Sequence, residues 1–145
     1  MKIHELGHVV LYVSDLKQSA DFFAHILGFT ELHRDLHTAL FSSGRTHHEL
    51  LLIEVGGIKE KPLSPKPGLY HIGFKIGHTD DELRQALNEL QNKNVIIVGT
   101  ANHHVTHSLY ILDPDGNELE LYIDVDDEWK QNPKKILKPV ERLYL

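Results

Sequence analysis

The sequence predicts an α+β fold of two βαβββ modules, their curved mixed sheets set around a shared cavity. Three observations predict it. LGHVVLYVS at 6–14 recurs as LYHIGFKIG at 69–77, with His8 and His71 at the same register. Each of these strand-like segments is followed by a helix-like segment and then by three further strand candidates. Between the two halves lies GGIKEKPLSPKPG, whose prolines and glycines suit neither a central strand nor a stable helix. The boundaries that follow are module one at 4–57, a linker at 58–68, module two at 69–124 and a tail at 125–145, all within one domain.

In module one a strand is expected at 6–13. Alternation puts Val9, Leu11 and Val13 on one face and Leu6, His8, Val10 and Tyr12 on the other. Ser14 or Asp15 is a candidate helix cap, and Ala20, Phe23, Ala24 and Leu27 form an apolar stripe at helical spacing, ended by Gly28. Strands are expected near 29–34, at 38–42 and at 49–55, with SGRTHH at 43–48 as the hairpin region between the last two.

Module two repeats the plan. A strand at 69–76 sets Ile72, Phe74 and Ile76 opposite His71, and a helix at 80–92 carries the stripe Leu83, Ala86, Leu87 and Leu90. Strands follow near 95–98, at 107–112 and at 118–124. Asp113-Pro114-Asp115-Gly116 is a turn signal, because proline presets φ and glycine accepts positive φ. The tail is charged, carries Trp129 and is broken by Pro133 and Pro139, which suits a segment wrapping the domain or a partner subunit.

Composition narrows the functional classes. A net charge of −6 argues against a nucleic-acid surface, which needs clustered Lys and Arg. With no cysteine, disulfides, thiolate ligands and a cysteine nucleophile are excluded. No apolar run approaches the roughly 18 residues of a membrane span. MKIHELGHVV lacks the build of a signal peptide, so the expected location is cytoplasmic.

The 12 histidines are the compositional anomaly. His4, His25, His33, His37 and His78 fall on no repeated motif and read as solvated surface. His8 and His71 differ, because one register in two repeats marks a shared role. Glu120 lies in ELELYI, opposite in parity to Leu119, Leu121 and Ile123. It reads either as a solvated strand edge beside Glu118 or as a carboxylate facing a cation. Two histidines and one carboxylate hold a divalent metal while leaving positions open.

On GHVVLYVSDLKQSADFFAHILGF, LYHIGFKI and DPDGNELELY, the chain resembles the vicinal oxygen chelate superfamily over residues 4–124. That superfamily includes glyoxalase I, extradiol dioxygenases, fosfomycin-resistance enzymes and bleomycin-binding proteins. The resemblance implies paired βαβββ modules and metal ligands at His8, His71 and Glu120. Further residues resemble the extradiol dioxygenases, such as catechol 2,3-dioxygenase. His48 followed by Glu49 matches their histidine and short polar residue, Tyr110 stands ten before Glu120, and His103 opens a His-His-Val-Thr stretch.

The resemblance therefore implies Fe(II), with Ni, Zn or Mn as alternatives, a catechol-like aromatic substrate and O2, and a homodimer. On this reading His48 is a general base, and His103 and Tyr110 bond the substrate oxygens. His104 and His107 are expected to be neighbours rather than participants. A glyoxalase I-type isomerase would use Glu54 as a fourth ligand, since Glu54 shares parity with His48, Leu50 and Leu52. A fosfomycin transferase would need an anion-binding Lys/Arg cluster, which is not evident beside these motifs. A metal-free drug-binding protein would have no need of three intact ligand positions.

Overall fold

The computed structural model describes residues 1–58 and 65–145. The chain divides into two compact units, Met1–Leu63 and Ser64–Leu145, each taken in its own frame below. Much of the expected linker, residues 59–64, lies outside the described residues. No described helix is long and apolar enough to cross a membrane.

The first unit runs β1 (Val9–Val13), α1 (Leu16–Asp21), a π turn (Phe22–Ile26), β2 (Thr30–Arg34), β3 (Thr38–Ser42) and β4 (Leu50–Glu54). Its sheet order is β1-β4-β3-β2, with β1 parallel to β4 and the other pairs antiparallel. The alternation expected in β1 holds, with Leu11 and Val13 buried while Val10 and Tyr12 are exposed. Leu6 and His8 precede the strand rather than lying within it. Asp15 is the helix cap, its carboxylate accepting from the Gln18 backbone N–H at 2.8 Å.

The helix departs from expectation at its end. Leu27 donates its backbone N–H to the Phe22 carbonyl, an i→i+5 bond that inserts one residue into the turn. That insertion rotates the apolar stripe. Phe22 and Phe23 are buried, whereas Ala24 and Leu27 are only half-buried. Phe23 meets Phe22, Phe29 and Phe41 at ring separations of 5.5–6.4 Å. Leu50 and Leu52 of β4 complete this core, each fully buried aliphatic contributing about 1.5–3 kcal/mol.

The second unit repeats the order with β5 (His71–Gly77), α2 (Asp80–Asn92), β6 (Ile97–Asn102), β7 (Thr106–Leu112) and β8 (Glu118–Asp124). Its sheet order is β5-β8-β7-β6, with β5 parallel to β8. Thr79 and Glu82 form a capping box that starts α2 at the expected residue. Leu83 and Leu90 of α2 are buried, as are Leu109, Ile111, Leu119, Leu121 and Ile123 of the sheet. The turn between β7 and β8 is organised by Asp113, which accepts from the backbones of Asp115 and Asn117 and from the Asn117 side chain at 2.7–3.0 Å.

Two expectations are corrected here, and the tail is defined. The pairing slips between Lys75 and Gly77, so Ile76 falls on a bulge and turns outward instead of joining Ile72 and Phe74. The strand expected at 95–98 continues to Asn102 through a second irregularity at Gly99. The tail, read as wrapping the domain or a partner subunit, folds onto its own unit. It forms two 3-10 turns, Glu128–Lys130 and Pro133–Leu137, and then pairs with its own unit. Asn102 and Glu141 exchange two backbone hydrogen bonds of 2.9 Å.

Candidate active site

In the second unit, strand parity sorts the chemistry to one face. Leu119, Leu121 and Ile123 of β8 turn inward to the core, which leaves Glu118, Glu120, Tyr122 and Asp124 on the opposite face. Gly73 of β5 and Tyr110 of β7 lie directly across from Glu120 on either side. The Tyr110 hydroxyl donates to Glu120 Oε1 at 3.0 Å, and His103 Nε2 lies 2.9 Å from the same hydroxyl. With the phenolic proton given to Glu120, His103 serves as the donor at that contact. His71 Nε2 lies 3.1 Å from Glu120 Oε2. His103, Tyr110, Glu120 and His71 thus form one continuous polar line.

Burial, and then the charge and hydrogen bond of Glu120, push the Tyr110 phenol well above its ordinary range. Tyr110 is therefore a proton-bearing donor, not a base. His103 reaches it from the tight connection between β6 and β7. There His104 adopts φ +67° and donates its backbone N–H to Asn102 Oδ1. His104 Nε2 lies 2.8 Å from the Pro139 carbonyl and His107 Nδ1 lies 2.6 Å from Asp80. Both rings are thus engaged away from the Tyr110–Glu120 contact.

Two residues around His71 were not singled out from the sequence. Glu118 Oε1 lies 3.7 Å from His71 Nδ1, a buried nitrogen without a hydrogen-bond partner. Tyr70 stacks against His71 at 4.8 Å, and its phenol is pushed up by hydrogen bonding to Glu118 and by that group's charge. The available signal was parity, because Glu118 shares a face with Glu120. A cavity of about 380 Å³ opens on His71, His103, Tyr110, Tyr70 and Glu118.

The first unit carries its own histidine cluster. The His8 and His48 rings lie 4.5 Å apart, and His47 Nδ1 is 2.6 Å from His48 Nδ1, so one of that pair holds the proton that the other accepts. Burial, then the charges of His47 and His8, hold the His48 imidazole below its ordinary range against the pull of Glu49. It is thus available as a neutral base near pH 7. The loop presenting it is built by Glu49, which accepts from the backbones of Ser43 and Thr46. Arg45 ties that loop to the segment before His8, donating to the Leu6 and Gly7 carbonyls at 3.1 and 2.9 Å.

Glu54 is corrected. It shares parity with Leu50 and Leu52, and those leucines face the core, so that face is the helix side. Its carboxylate accepts the Leu16 backbone N–H at 2.7 Å, at the first turn of α1. The registers also identify the residue that does match Glu120. Gly73 pairs with Glu120 in β5–β8, and its repeat counterpart Val10 pairs with Leu51 in β1–β4. A leucine stands where the second unit has its carboxylate.

Of the six residues singled out, the structure brings His71, Glu120, Tyr110 and His103 together in one unit, and His8 and His48 together in the other. Among the described residues, no group of three or more His, Asp or Glu side chains is arranged to hold a metal ion. The donors nevertheless suit one. An imidazole nitrogen and a carboxylate oxygen already share one space, and the second nitrogen of that imidazole is buried beside a further carboxylate.

Comparison with known proteins agrees with this architecture. The family model for the glyoxalase/bleomycin resistance protein/dioxygenase superfamily matches residues 5–121. Catechol-2,3-dioxygenase of Bacillus subtilis is 31% identical over 84% of this chain and 43% of its own length. Biphenyl-2,3-diol 1,2-dioxygenase 3 of Rhodococcus globerulus is 30% identical over 82% of this chain and 63% of its own. The chain therefore spans less than two thirds of either dioxygenase. Glutathione transferase FosA of Serratia marcescens is 29% identical over 83% of this chain and 82% of its own length. A glyoxalase/dioxygenase structure from Nostoc punctiforme superposes with a TM-score of 0.66 at 22% identity, covering 84% of this chain and 92% of that one, a likeness of fold.

Proposed function

The chain belongs to the glyoxalase/bleomycin resistance protein/dioxygenase superfamily, and from that premise we propose that it is a metal-dependent extradiol dioxygenase acting on a catechol-like aromatic. The superfamily holds dioxygenases, lyases and transferases, and its dioxygenases and fosfomycin enzymes depend on a metal. The observation that carries the finer reading is the hydrogen-bonded line His103–Tyr110–Glu120–His71. It sets a protonated phenol and an imidazole beside a carboxylate and a second imidazole, groups whose hydrogen bonds a substrate oxygen would take over as charge develops on it.

In this reading His8, His71 and Glu120 hold the metal, Fe(II) by preference. Bound there, iron would supply coordination positions for a catechol and O2. For the chain's own residues, His48 accepts a catechol proton through its neutral imidazole and returns it later. Tyr110 keeps its proton and donates a hydrogen bond, and His103 holds the Tyr110 oxygen so that the donor stays aimed. Glu118 stands 3.7 Å from His71 Nδ1, placed to accept a hydrogen bond from an Nδ1–H so that Nε2 would be the coordinating nitrogen.

The glyoxalase-type alternative loses support on two counts. Glu54 caps a helix, and Leu51 occupies the register position where a second carboxylate would stand. The chain is proposed to work as a homodimer, which sedimentation at micromolar concentration tests.

Anaerobic loading with Fe(II), followed by catechol and air, tests the reaction. A yellow ring-opened product formed with one O2 consumed per catechol is expected. A stoichiometrically iron-loaded protein that consumes no O2 with any catechol would rule out ring cleavage.

A further inference from the structure

Ser108 carries a hydroxyl that the fold itself does not use. It lies on β7 two residues before Tyr110, on the same face and fully buried. Its Oγ has no hydrogen-bond partner among the described residues. We propose that Ser108 is a positioning residue for the candidate site, its hydroxyl donating to the Tyr110 oxygen when a ligand oxygen replaces Glu120 as acceptor of the phenolic proton. This rests on the catechol reading above and adds a residue to it.

A buried hydroxyl without a partner destabilises a fold, whereas an alanine methyl at the same place would bury cleanly. The duplicated modules show what a structural hydroxyl at this register looks like. Thr38 pairs with Ile53 as Ser108 pairs with Tyr122, two residues beyond Leu51 and Glu120 respectively. The Thr38 hydroxyl donates to Asp35 Oδ2 at 2.9 Å, because β3 begins at Thr38 and the turn before it supplies a carboxylate. In the second module β7 begins two residues before Ser108, at Thr106, so its turn lies farther away. The hydroxyl is kept while the local partner is lost.

Its neighbours direct it toward Tyr110. Ala101 and Tyr122 flank Ser108 on β6 and β8. Ala101 brings no polar group. The Tyr122 ring leans the other way, over Gly73 of β5, where an added Cβ would lie 3.5 Å from its Cε1. On Tyr110, Ser108 acts against burial and the Glu120 charge: they push the phenol up and the serine hydroxyl draws it down. The phenol oxygen gives its proton to Glu120 and meets His103, which leaves it able to accept from one further donor.

That second donor matters once a ligand arrives. With Glu120 displaced as acceptor, the phenolic O–H has to turn into the site. His103 holds the oxygen from one side only. A second hydrogen bond from Ser108 leaves the O–H a single direction, and polarisation along the chain strengthens it as a donor.

Melting of the metal-free protein should give Ser108→Ala a Tm equal to or above the parent's, because the hydroxyl holds nothing at rest. In the Fe(II)-loaded protein without O2, affinity for 4-nitrocatechol is read from its visible absorbance. It should fall about tenfold in Ser108→Ala and recover in Ser108→Thr. In a Tyr110→Phe background Ser108→Ala should cost nothing further, since its effect passes through the phenol. A lowered Tm in Ser108→Ala would mark a structural hydroxyl and overturn the proposal. So would unchanged affinity, or an equal loss in the Tyr110→Phe background. If the binding results hold but no catechol leads to O2 uptake, Ser108 keeps its role and the dioxygenase reading falls. If catechol is cleaved at the parent's rate by Ser108→Ala, the reverse follows. A parent protein that neither binds nitrocatechol nor consumes O2 would overturn both.

Discussion

Replacing Glu54 with alanine separates the two metal chemistries that the sequence left open. Its carboxylate accepts the Leu16 N–H at 2.7 Å, a contact 38 residues apart in sequence that ties the end of β4 to the first turn of α1. A hydrogen bond to a charged group contributes about 1.5–3 kcal/mol when buried, and a negative charge at a helix N-terminus about 0.3–1. The bond is only part-buried and water can reach the freed N–H, so a loss of roughly 1–2 kcal/mol is expected. For a chain of this size that corresponds to a fall in Tm of about 2–8 °C. Glu54→Gln keeps an acceptor and should lose less. Melting should be followed on metal-free protein, with Fe(II) affinity measured separately by competition with a chelator. Affinity should stay within about twofold of the parent. A collapse of metal binding at unchanged Tm would refute the capping argument and restore Glu54 as a ligand.

Four further outcomes follow from the same geometry. Tyr110→Phe removes the hydroxyl between His103 and Glu120; metal should be retained while turnover falls about 10²-fold, read by O2 uptake. His48→Ala should keep the metal and lose turnover, and unchanged steady-state rates would remove it from the mechanism. Glu118→Leu should weaken metal binding about 10–100-fold through loss of the partner to His71 Nδ1, with Glu118→Gln largely restoring it; equal affinity in all three proteins would exclude that role. Leu51→Glu installs a carboxylate at the register of Glu120; it should tighten Ni²⁺ binding and abolish O2 uptake, and undiminished uptake would count against the open-position argument.

Most of this fold was legible because the local signals agree with one another. The helix at 80–92 is bounded by its capping box, and the strand at 118–124 by the Asp113 turn. What escaped were insertions of single residues: the π turn at Phe22–Ile26 and the slips at Lys75/Gly77 and Ile97/Gly99. Each shifts the side-chain pattern by one place without changing composition, so periodicity read on either side of it stays intact while the face reverses. The pairing of the tail with Asn102 was equally hidden, because a two-bond backbone bridge needs no particular side chain.

The site follows the same logic one level up. Tyr110 and Glu120 lie ten residues apart because both flank a hairpin centred on Asp115, whose ladder also pairs Thr106 with Asp124 and Leu112 with Glu118. The spacing recognised in the sequence is therefore the register itself. Glu54 stayed open as a fourth ligand although its parity was right. Leu50 and Leu52 share that parity, and leucines that alternate with a carboxylate announce the core face unless the carboxylate has a backbone donor to meet, which here is Leu16. The duplicated modules make the contrast sharp. His8 and His71 keep one register, whereas the carboxylate at that register's neighbouring strand survives only in the second module, as Glu120, with Leu51 in the first. A site that drew ligands equally from both repeats would be closed by two histidines and two carboxylates. On the proposed metal-binding reading, a leucine at the register of a second carboxylate would mean three donors rather than four, which would favour a chemistry in which substrate and O2 need room beside the metal.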